Sequence, residues 1–306
     1  MTHLGLLRST PAPPSDRELY DRVADAAAGL VIRHYSSSFG LSSRLLHQPV
    51  RDHVRNVYAL VRLADEVVDG PLGLERPARA GELLDRLERD TLETLGDTYS
   101  TNLVVHAFTA TARECGIGPD LVEPFFASMR TDLTVRSHDR ESFEAYVYGS
   151  AEVVGLMCLR VFLACWSREE GRRPQEEQAR YAELSDGARR LGSAFQKVNF
   201  LRDLAADHQG RGRSYFPGID PARLSEDQKH LLLDDIDADL VAAADAVGRL
   251  PDNCRAAVAV AHAVFEELAV RLRRTPAETL AGGRVRLSSG TKARVAVSTL
   301  LRERLA

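Results

Sequence analysis

The chain has 306 residues, with 40 Lys and Arg against 44 Asp and Glu and a formal net charge of −4. This balance argues against a general nucleic-acid binder, which usually carries a basic excess. A hydrophobic content of 44% supplies enough apolar side chains for a sizeable core. A polyanionic substrate would therefore have to be captured by a local group of basic or metal-binding side chains.

Membrane insertion and disulfide bonding are also disfavoured. Charged residues interrupt the apolar runs before about 18 residues, so we expect no transmembrane helix, no leader segment and a cytoplasmic location. The cysteines form no C-x-x-C pair and are expected to be reduced and buried; they are Cys115, Cys158, Cys165 and Cys254.

The chain begins with a segment, residues 1–14, whose Thr-Pro-Ala-Pro-Pro run predicts a flexible arm. From Ser15 or Asp16 onward, apolar residues recur at helical spacing and no long stretch alternates with a period of two, which predicts a nearly all-α fold. Gly and Pro clusters divide residues 15–306 into about ten helices of one domain, and the longest break runs from Gly210 to Pro221.

The first notable helix carries a polar stripe. Tyr58, Arg62, Asp65 and Asp69 are spaced by four, three and four residues, so they share one face of an otherwise apolar helix. Such a stripe must face solvent or line a site.

A second stripe lies further along the chain, where Gln196, Asn199, Asp203 and Asp207 are spaced by three, four and four. Carboxylates four residues apart repel each other, so two such pairs in apolar helices favour a bound cation. Ligands that are all oxygen atoms suit Mg2+, which completes its shell with water and phosphate. Either pair alone would also fit a solvated helix face with ion pairs, but the two together indicate a diphosphate substrate.

Several motifs, in order between about Tyr35 and Lys292, resemble the squalene and phytoene synthase family. They are Ser36-Ser37-Ser38-Phe39, the acidic segment from Asp65 to Asp69, the segment from Met129 to Leu133, the helix from Tyr146 to Met157, and the run from Leu191 to Pro217. The resemblance implies an all-α, single-domain isoprenoid-synthase fold (class I terpenoid synthase), a helical bundle around a central apolar cavity. The two acidic helices would face each other across its mouth.

The resemblance also implies roles for individual residues. Asp65, Asp69, Asp203 and Asp207, assisted by Asn199, would hold two or three Mg2+ ions, for which Mn2+ is a substitute. Donors to the phosphates would be Arg62, Gln196, Arg202 and Arg213. Tyr146 would place its ring near a carbocation, and the other expected substrate contacts are Ser36, Ser38, Phe39, Tyr58, Tyr148 and Tyr215.

Plainer roles compete with some of these. Tyr146 and Tyr148 differ by two positions, so at most one points fully into the pocket, and either could be a core residue. Either Ser36 or Ser38 is expected to cap a helix instead of binding substrate. The run from Arg211 to Pro217 is expected to form a flap over the diphosphates, and the basic segment from Arg284 to Lys292 resembles the C-terminal segment of the family.

Four positions depart from the family pattern: Tyr35, Glu152, Lys197 and Phe265. None removes a metal ligand. Glu152 lies where a small residue is usual, so it could steer a cation, act as a base or pair with Arg160 or Arg136.

The resemblance thus implies a prenyltransferase that joins two polyprenyl diphosphates head to head through a cyclopropylcarbinyl diphosphate, with geranylgeranyl diphosphate as the expected substrate. A squalene or dehydrosqualene synthase that uses farnesyl diphosphate, a terpene cyclase and a non-catalytic helical assembly protein are alternatives. The sequence leaves open NADPH use and oligomeric state, and greasy substrates are compatible with a peripheral membrane contact.

Overall fold

The structure, a computed structural model, describes residues 15–35, 42–97 and 99–304. The predicted arm, residues 1–14, and three predicted substrate contacts, Ser36, Ser38 and Phe39, lie outside the described residues. Within these ranges the chain forms helices and no strand, and its one isolated β-bridge joins Ser137 to Ser214. The prediction of an all-α fold is therefore confirmed.

The α-helices, numbered in chain order, are α1 Asp16–Tyr35, α2 Val50–Asp69, α3 Pro71–Glu75, α4 Pro77–Gly96, α5 Leu103–Cys115, α6 Pro119–Thr134, α7 Arg140–Val147, α8 Val153–Glu170, α9 Pro174–Arg211, α10 Glu226–Gly248, α11 Arg255–Arg274, α12 Ala277–Gly282 and α13 Ser289–Glu303. A π-helical turn, Tyr148–Glu152, joins α7 to α8, and a 3-10 turn, Pro221–Arg223, precedes α10.

Local sequence explains where several helices begin and end. Asn102 caps α5 by accepting from the backbone N–H groups of Val104 and Val105. Helix α9 ends at Arg211 and is followed by Gly212, whose φ of +66° suits glycine. The predicted break at Gly210 was therefore two residues early, because Gly210 lies inside α9 and the left-handed turn comes at Gly212.

The core consists of two main apolar clusters, and each carries one acidic stripe. The first cluster contains the buried side of α2, represented by Leu60, Ala64 and Val68. The second contains the C-terminal half of α9, represented by Val198 and Leu201, with residues of α10 and α11. The two acidic stripes therefore meet where the two clusters adjoin.

Three glycines allow the π-helical turn and α8 to approach their neighbours closely. A Cβ on Gly149 would lie 2.2 Å from the Pro124 carbonyl oxygen of α6, and one on Gly155 would lie 2.5 Å from the Ala188 carbonyl oxygen of α9. A Cβ on Gly192 would meet Ala151 at 2.6 Å. This seam fixes the second acidic helix against the segment that carries Tyr146.

The helical stretch Arg140–Glu170 is long and apolar enough to cross a membrane, with a mean hydropathy of 1.6 over its most apolar window. The expectation that no segment would meet this criterion was wrong, because the stretch from Ala145 to Ser167 contains only two charged residues, Glu152 and Arg160. However, 67% of the window is buried inside the protein, as expected of a core helix.

Substitution of Gly155 by Ala should force α8 away from α9 and lower the free energy of unfolding by about 1–3 kcal/mol. Urea unfolding followed by circular dichroism would measure this change. Gly29→Ala is the matched control, because a Cβ on Gly29 meets nothing within 4 Å in helix α1, and we expect it to be neutral or stabilising by up to about 1 kcal/mol. Equal effects of the two substitutions would contradict the proposed seam.

Candidate active site

The first acidic stripe lies on the last turns of α2. Asp65 and Asp69 are both half-buried. Arg62 forms ion pairs with Asp65 and with Glu66, and its guanidinium lies 4.5 Å from the centre of the Tyr35 ring. Arg62 is therefore held over the stripe by charge and by a cation–π contact.

The second stripe lies on the C-terminal half of α9. Asp203 receives two hydrogen bonds from Arg202, at 3.0 and 2.5 Å, and Arg284 Nε lies 2.6 Å from its Oδ1. Asp207 receives a 2.8 Å bond from Arg211, one turn further along the helix. Gln196 donates to Ser150 Oγ of the π-helical turn at 3.2 Å.

Two arginines connect the stripes. Arg213 Nη1 donates to Asp69 Oδ1 at 2.5 Å, and Arg211 Nε lies 3.6 Å from the same oxygen. Arg211 also bonds Asp207, so its guanidinium lies between carboxylates of the two stripes. The two predicted acidic helices therefore face each other across these arginines.

A buried carboxylate, that of Asp132 on α6, anchors this arrangement from behind. Asp132 is 5% exposed and accepts hydrogen bonds from the hydroxyls of Tyr146, at 2.8 Å, and Tyr215, at 3.1 Å. Arg213 Nη1 lies 3.4 Å from its Oδ1. The Tyr215 ring stacks on Phe200 of α9 at 4.0 Å. This contact group, Asp132, Arg213, Tyr146, Tyr215 and Phe200, joins the two core clusters.

Burial and neighbouring negative charges raise the pKa values of three carboxylates at the site. Burial and then the charge of Asp69 raise the pKa of Asp65 to about 6, against the opposing effect of Arg62. Burial raises the pKa of Asp207 to about 6; Arg211 lowers it, while Asp203 and Asp69 raise it further. Burial also raises the pKa of Asp132 to about 7, although Arg213 favours its charged form. These carboxylates would be stabilised by additional positive charge.

The structure brings together most of the residues predicted for the site, but it separates Tyr148 from them. Tyr148 lies on the outer side of the π-helical turn, where its ring is 5.3 Å from the guanidinium of Arg189. It lines a separate groove of about 810 Å³ together with Glu152, Arg189 and Lys197. This position of Tyr148 gives no support to its predicted contact with substrate, which stays a prediction.

The predicted partners of Glu152 were wrong. Glu152 accepts a 2.8 Å bond from Arg189 of α9, whereas Arg160 bonds Gln178. Lys197 also points away from the stripe, since its Nζ lies 2.6 Å from Asp235 and 2.8 Å from Asp239 of α10. The charges of Glu152 and Lys197 serve helix packing.

The sequence placed Asp132 only within the motif from Met129 to Leu133 and Arg211 only within the expected flap, and it gave neither residue an individual role. The spacing of Asp203, Asp207 and Arg211 by four residues could have placed Arg211 on the second stripe. No comparable signal exists for Asp132, because its three partners lie 14 to 83 residues away along the chain. Arg213 is 4% exposed and pairs with Asp69 and Asp132, so the segment from Arg211 to Pro217, which was expected to form a flap, contains a buried anchor.

The residues present fit a diphosphate with Mg2+. Among the described residues, no three His, Cys, Asp or Glu side chains lie close enough to hold a metal ion by themselves, but Mg2+ needs only one or two carboxylates when phosphate completes its shell. The buried Nε groups of Arg62, Arg211 and Arg213 have no hydrogen-bond acceptor within the described part of the chain. Phosphate oxygens would supply acceptors for them.

Two cavities lined by described residues lie away from the two acidic stripes. One, of about 260 Å³, is lined by residues of α2 and α4, among them Leu63, Val67 and Leu87, and the other is the outer groove beside Tyr148. Neither is lined by an aspartate of the two stripes. The central apolar cavity at the mouth of the stripes stays a prediction.

Comparisons with known proteins show the family to which the sequence is similar. The sequence model of the squalene/phytoene synthase family matches residues 32–291. A 15-cis-phytoene synthase of Paracoccus sp. is 28% identical, over 85% of this chain and 84% of its own length. A bifunctional lycopene cyclase/phytoene synthase of Blakeslea trispora is 26% identical over 87% of this chain, and the chain spans 47% of that longer protein.

Solved structures show the same fold. A dehydrosqualene synthase superposes with a TM-score of 0.75 at 19% identity, over 95% of this chain and all of that one. The squalene synthase HpnC from Alicyclobacillus acidocaldarius gives a TM-score of 0.68 at 19% identity, over 84% of this chain and 95% of that one. The predicted isoprenoid-synthase bundle is confirmed.

Replacement of Arg213 by Met should leave Asp132 and Asp69 without their buried cation and lower the free energy of unfolding by about 3–5 kcal/mol. Tyr146→Phe removes one hydrogen bond to Asp132 and should cost about 1–2 kcal/mol. Denaturant unfolding at pH 8 measures both changes. Arg189→Met, which breaks a more exposed ion pair with Glu152, is the control and should cost about 1 kcal/mol or less. An Arg213→Met variant as stable as this control would contradict the anchoring role.

Proposed function

The chain belongs to the squalene/phytoene synthase family of prenyltransferases, and we propose that it joins two prenyl diphosphates head to head in a reaction that requires Mg2+. The observation that carries this proposal is the pair of facing acidic stripes with arginines between them. The non-catalytic alternative would be expected to have lost these groups, whereas all four aspartates, Gln196 and Asn199 are present.

In this proposal the aspartates hold the metal and the arginines hold the phosphates. Asp65 and Asp69 on α2, and Asp203 and Asp207 on α9, would bind Mg2+, with Asn199 on the same face. When bound, the metal would supply positive charge that stabilises the leaving diphosphate. The unsatisfied Nε groups of the arginines at the site would donate to the phosphate oxygens and orient the leaving group.

The aromatic residues behind the arginines would keep the reacting chain dry. Tyr146 and Tyr215 donate their hydroxyls to Asp132, so their polar atoms are satisfied and their rings present apolar surface. A carbocation formed on departure of the diphosphate survives only where water is excluded. Electron-rich rings near it would lower its free energy, which is the role that we propose for Tyr146.

The substrate that we propose is geranylgeranyl diphosphate, with a phytoene-type product that is released without NADPH. Support comes from the phytoene synthase of Paracoccus sp., which is similar over most of both chains, and from the segment Met129 to Leu133. The squalene-type structures are similar at 19% identity, which shows their fold alone. Farnesyl diphosphate is therefore the second candidate.

We also propose that the enzyme works in the cytoplasm and contacts a membrane peripherally. Prenyl diphosphates and their hydrocarbon products are strongly apolar, so transfer from and to a bilayer would avoid their exposure to water. The apolar stretch Arg140–Glu170 does not serve this contact, because most of it is buried.

Purified protein incubated with C20 diphosphate and Mg2+ should release diphosphate and yield a linear C40 hydrocarbon, with no need for NADPH. Asp69→Asn should reduce this release by at least about 100-fold, because it removes a metal ligand. Product analysis by mass spectrometry measures the outcome. A C30 product from C15 diphosphate would move the protein to the squalene branch, a cyclic product would make it a cyclase, and absence of Mg2+-dependent release would refute the catalytic proposal.

Activity should fall as the pH drops through about 6, because Asp65 and Asp207 have pKa values near 6 and must be ionised to bind Mg2+. Higher Mg2+ concentrations should shift the acid limb of the profile to lower pH, since metal and protons compete. Steady-state rates between pH 5 and 8 at several Mg2+ concentrations test this. An acid limb that is independent of Mg2+ would contradict the assignment.

Asp65 and Asp207 also make the free energy of unfolding depend on pH, but this quantity should fall as the pH rises, whereas activity should increase. Their folded-state pKa values lie above the ordinary 3.8 of an aspartate, so the folded protein binds protons more tightly than the unfolded chain. Their contribution to the free energy of unfolding is therefore fully present below about pH 4 and is lost as the pH rises through about 6.

A further inference from the structure

Arg211 occupies an unusual position at the end of α9. Its Nη1 donates to Asp207 Oδ1 at 2.8 Å, and its Nε lies 3.6 Å from Asp69 Oδ1 on the opposite helix. The guanidinium thus lies between two carboxylates, in the space where a cation shared by the two stripes would be expected.

The two arginines that reach Asp69 differ in what holds them. Arg213 has a side chain only 3% exposed and is held by Asp132 and by the Tyr215 hydroxyl as well as by Asp69. The side chain of Arg211 is 29% exposed, and both of its ion-pair partners are predicted metal ligands. Its Nε has no hydrogen-bond acceptor among the residues that the structure describes. Arg213 is therefore fixed, whereas Arg211 can reorient about its own side-chain bonds.

Charge counting shows what this arrangement does to ligand binding. Asp69, Asp132 and Asp207 together carry three negative charges, and the guanidinium groups paired with them, those of Arg211 and Arg213, carry two positive charges. A divalent cation placed between Asp69 and Asp207 would leave one positive charge uncompensated, next to both guanidinium groups. A diphosphate bound at the same time would offset this charge and would give the arginine N–H groups new acceptors.

Given the proposed function, on which this inference rests, we propose that Arg211 is a positioning residue that makes divalent-cation binding depend on the diphosphate. Its guanidinium holds Asp69 and Asp207 until phosphate oxygens accept its N–H groups. Asp207 then becomes free to bind metal, and Asp69, which Arg213 still holds, loses the second guanidinium near its Oδ1. The enzyme therefore binds the two ligands together and binds metal alone weakly.

Binding of Mn2+ to the full chain, with and without inorganic pyrophosphate, tests this inference. The electron paramagnetic resonance signal of free Mn2+ reports binding, and a protein-free titration corrects for Mn2+ held by pyrophosphate itself. In the natural protein, pyrophosphate should tighten Mn2+ binding by about tenfold or more. Arg211→Gln should bind Mn2+ alone about tenfold more tightly, and pyrophosphate should then add less than about threefold.

Two further variants make the result specific. Arg211→Lys keeps the positive charge and should keep most of the coupling, whereas Arg140→Gln changes an exposed arginine of α7 that pairs with Glu144 and should behave like the natural protein. Thermal unfolding confirms that each variant is folded.

The outcomes separate the inference from the function on which it rests. If the natural protein binds Mn2+ with pyrophosphate but Arg211→Gln leaves both the affinity for Mn2+ alone and the coupling unchanged, the role of Arg211 is refuted and the proposed function stands. If the natural protein binds no Mn2+ even with pyrophosphate, the metal-dependent function and the inference both fail.

Discussion

Carboxylates confined to two facing, half-buried helix faces repel each other unless cations lie between them, and the architecture of this protein follows from that requirement. Asp65, Asp69, Asp203 and Asp207 each form an ion pair with at least one arginine. These arginines come from α2, from α9 and its following loop, and from the segment after α12. Since each apolar cluster carries one acidic stripe, neutralisation of the carboxylates also determines how the two clusters adjoin.

The anchor of this arrangement is Asp132, a single buried carboxylate that the second cluster reaches with two tyrosine hydroxyls and one guanidinium. A buried ion pair contributes little net stability, but loss of one partner is costly because the other charge remains buried. Asp132, Arg213 and the two tyrosines therefore specify one arrangement of the clusters. They also place aromatic rings directly behind the arginines that pair with the acidic stripes, so the charged cluster and the aromatic cluster beside it have a common structural origin.

The glycine seam has a complementary role, because it fixes α9 against the π-helical turn without any charge. Gly155 and Gly192 let the two backbones approach closely, and Gln196 then reaches Ser150 across the seam. On the opposite side of α9, Lys197 pairs with Asp235 and Asp239 of α10. The same helix thus directs one set of charges to the candidate site and another to its packing neighbour, which leaves its orientation little freedom.

The sequence by itself determined the helical class, the two acidic stripes and the family, because helical periodicity and residue spacing are local properties of the chain. It located the end of a helix that is capped by glycine to within two residues, since the break was predicted at Gly210 and the capping residue is Gly212. Only the tertiary structure decided which polar side chains meet: Asp132 with Tyr215, Glu152 with Arg189 instead of Arg160, and Arg213 with Asp69 in the interior. It also decided that Tyr148 lies in the outer groove. The paired residues lie 37 to 144 residues apart along the chain, and the packing of helices, which no local spacing encodes, brings them together.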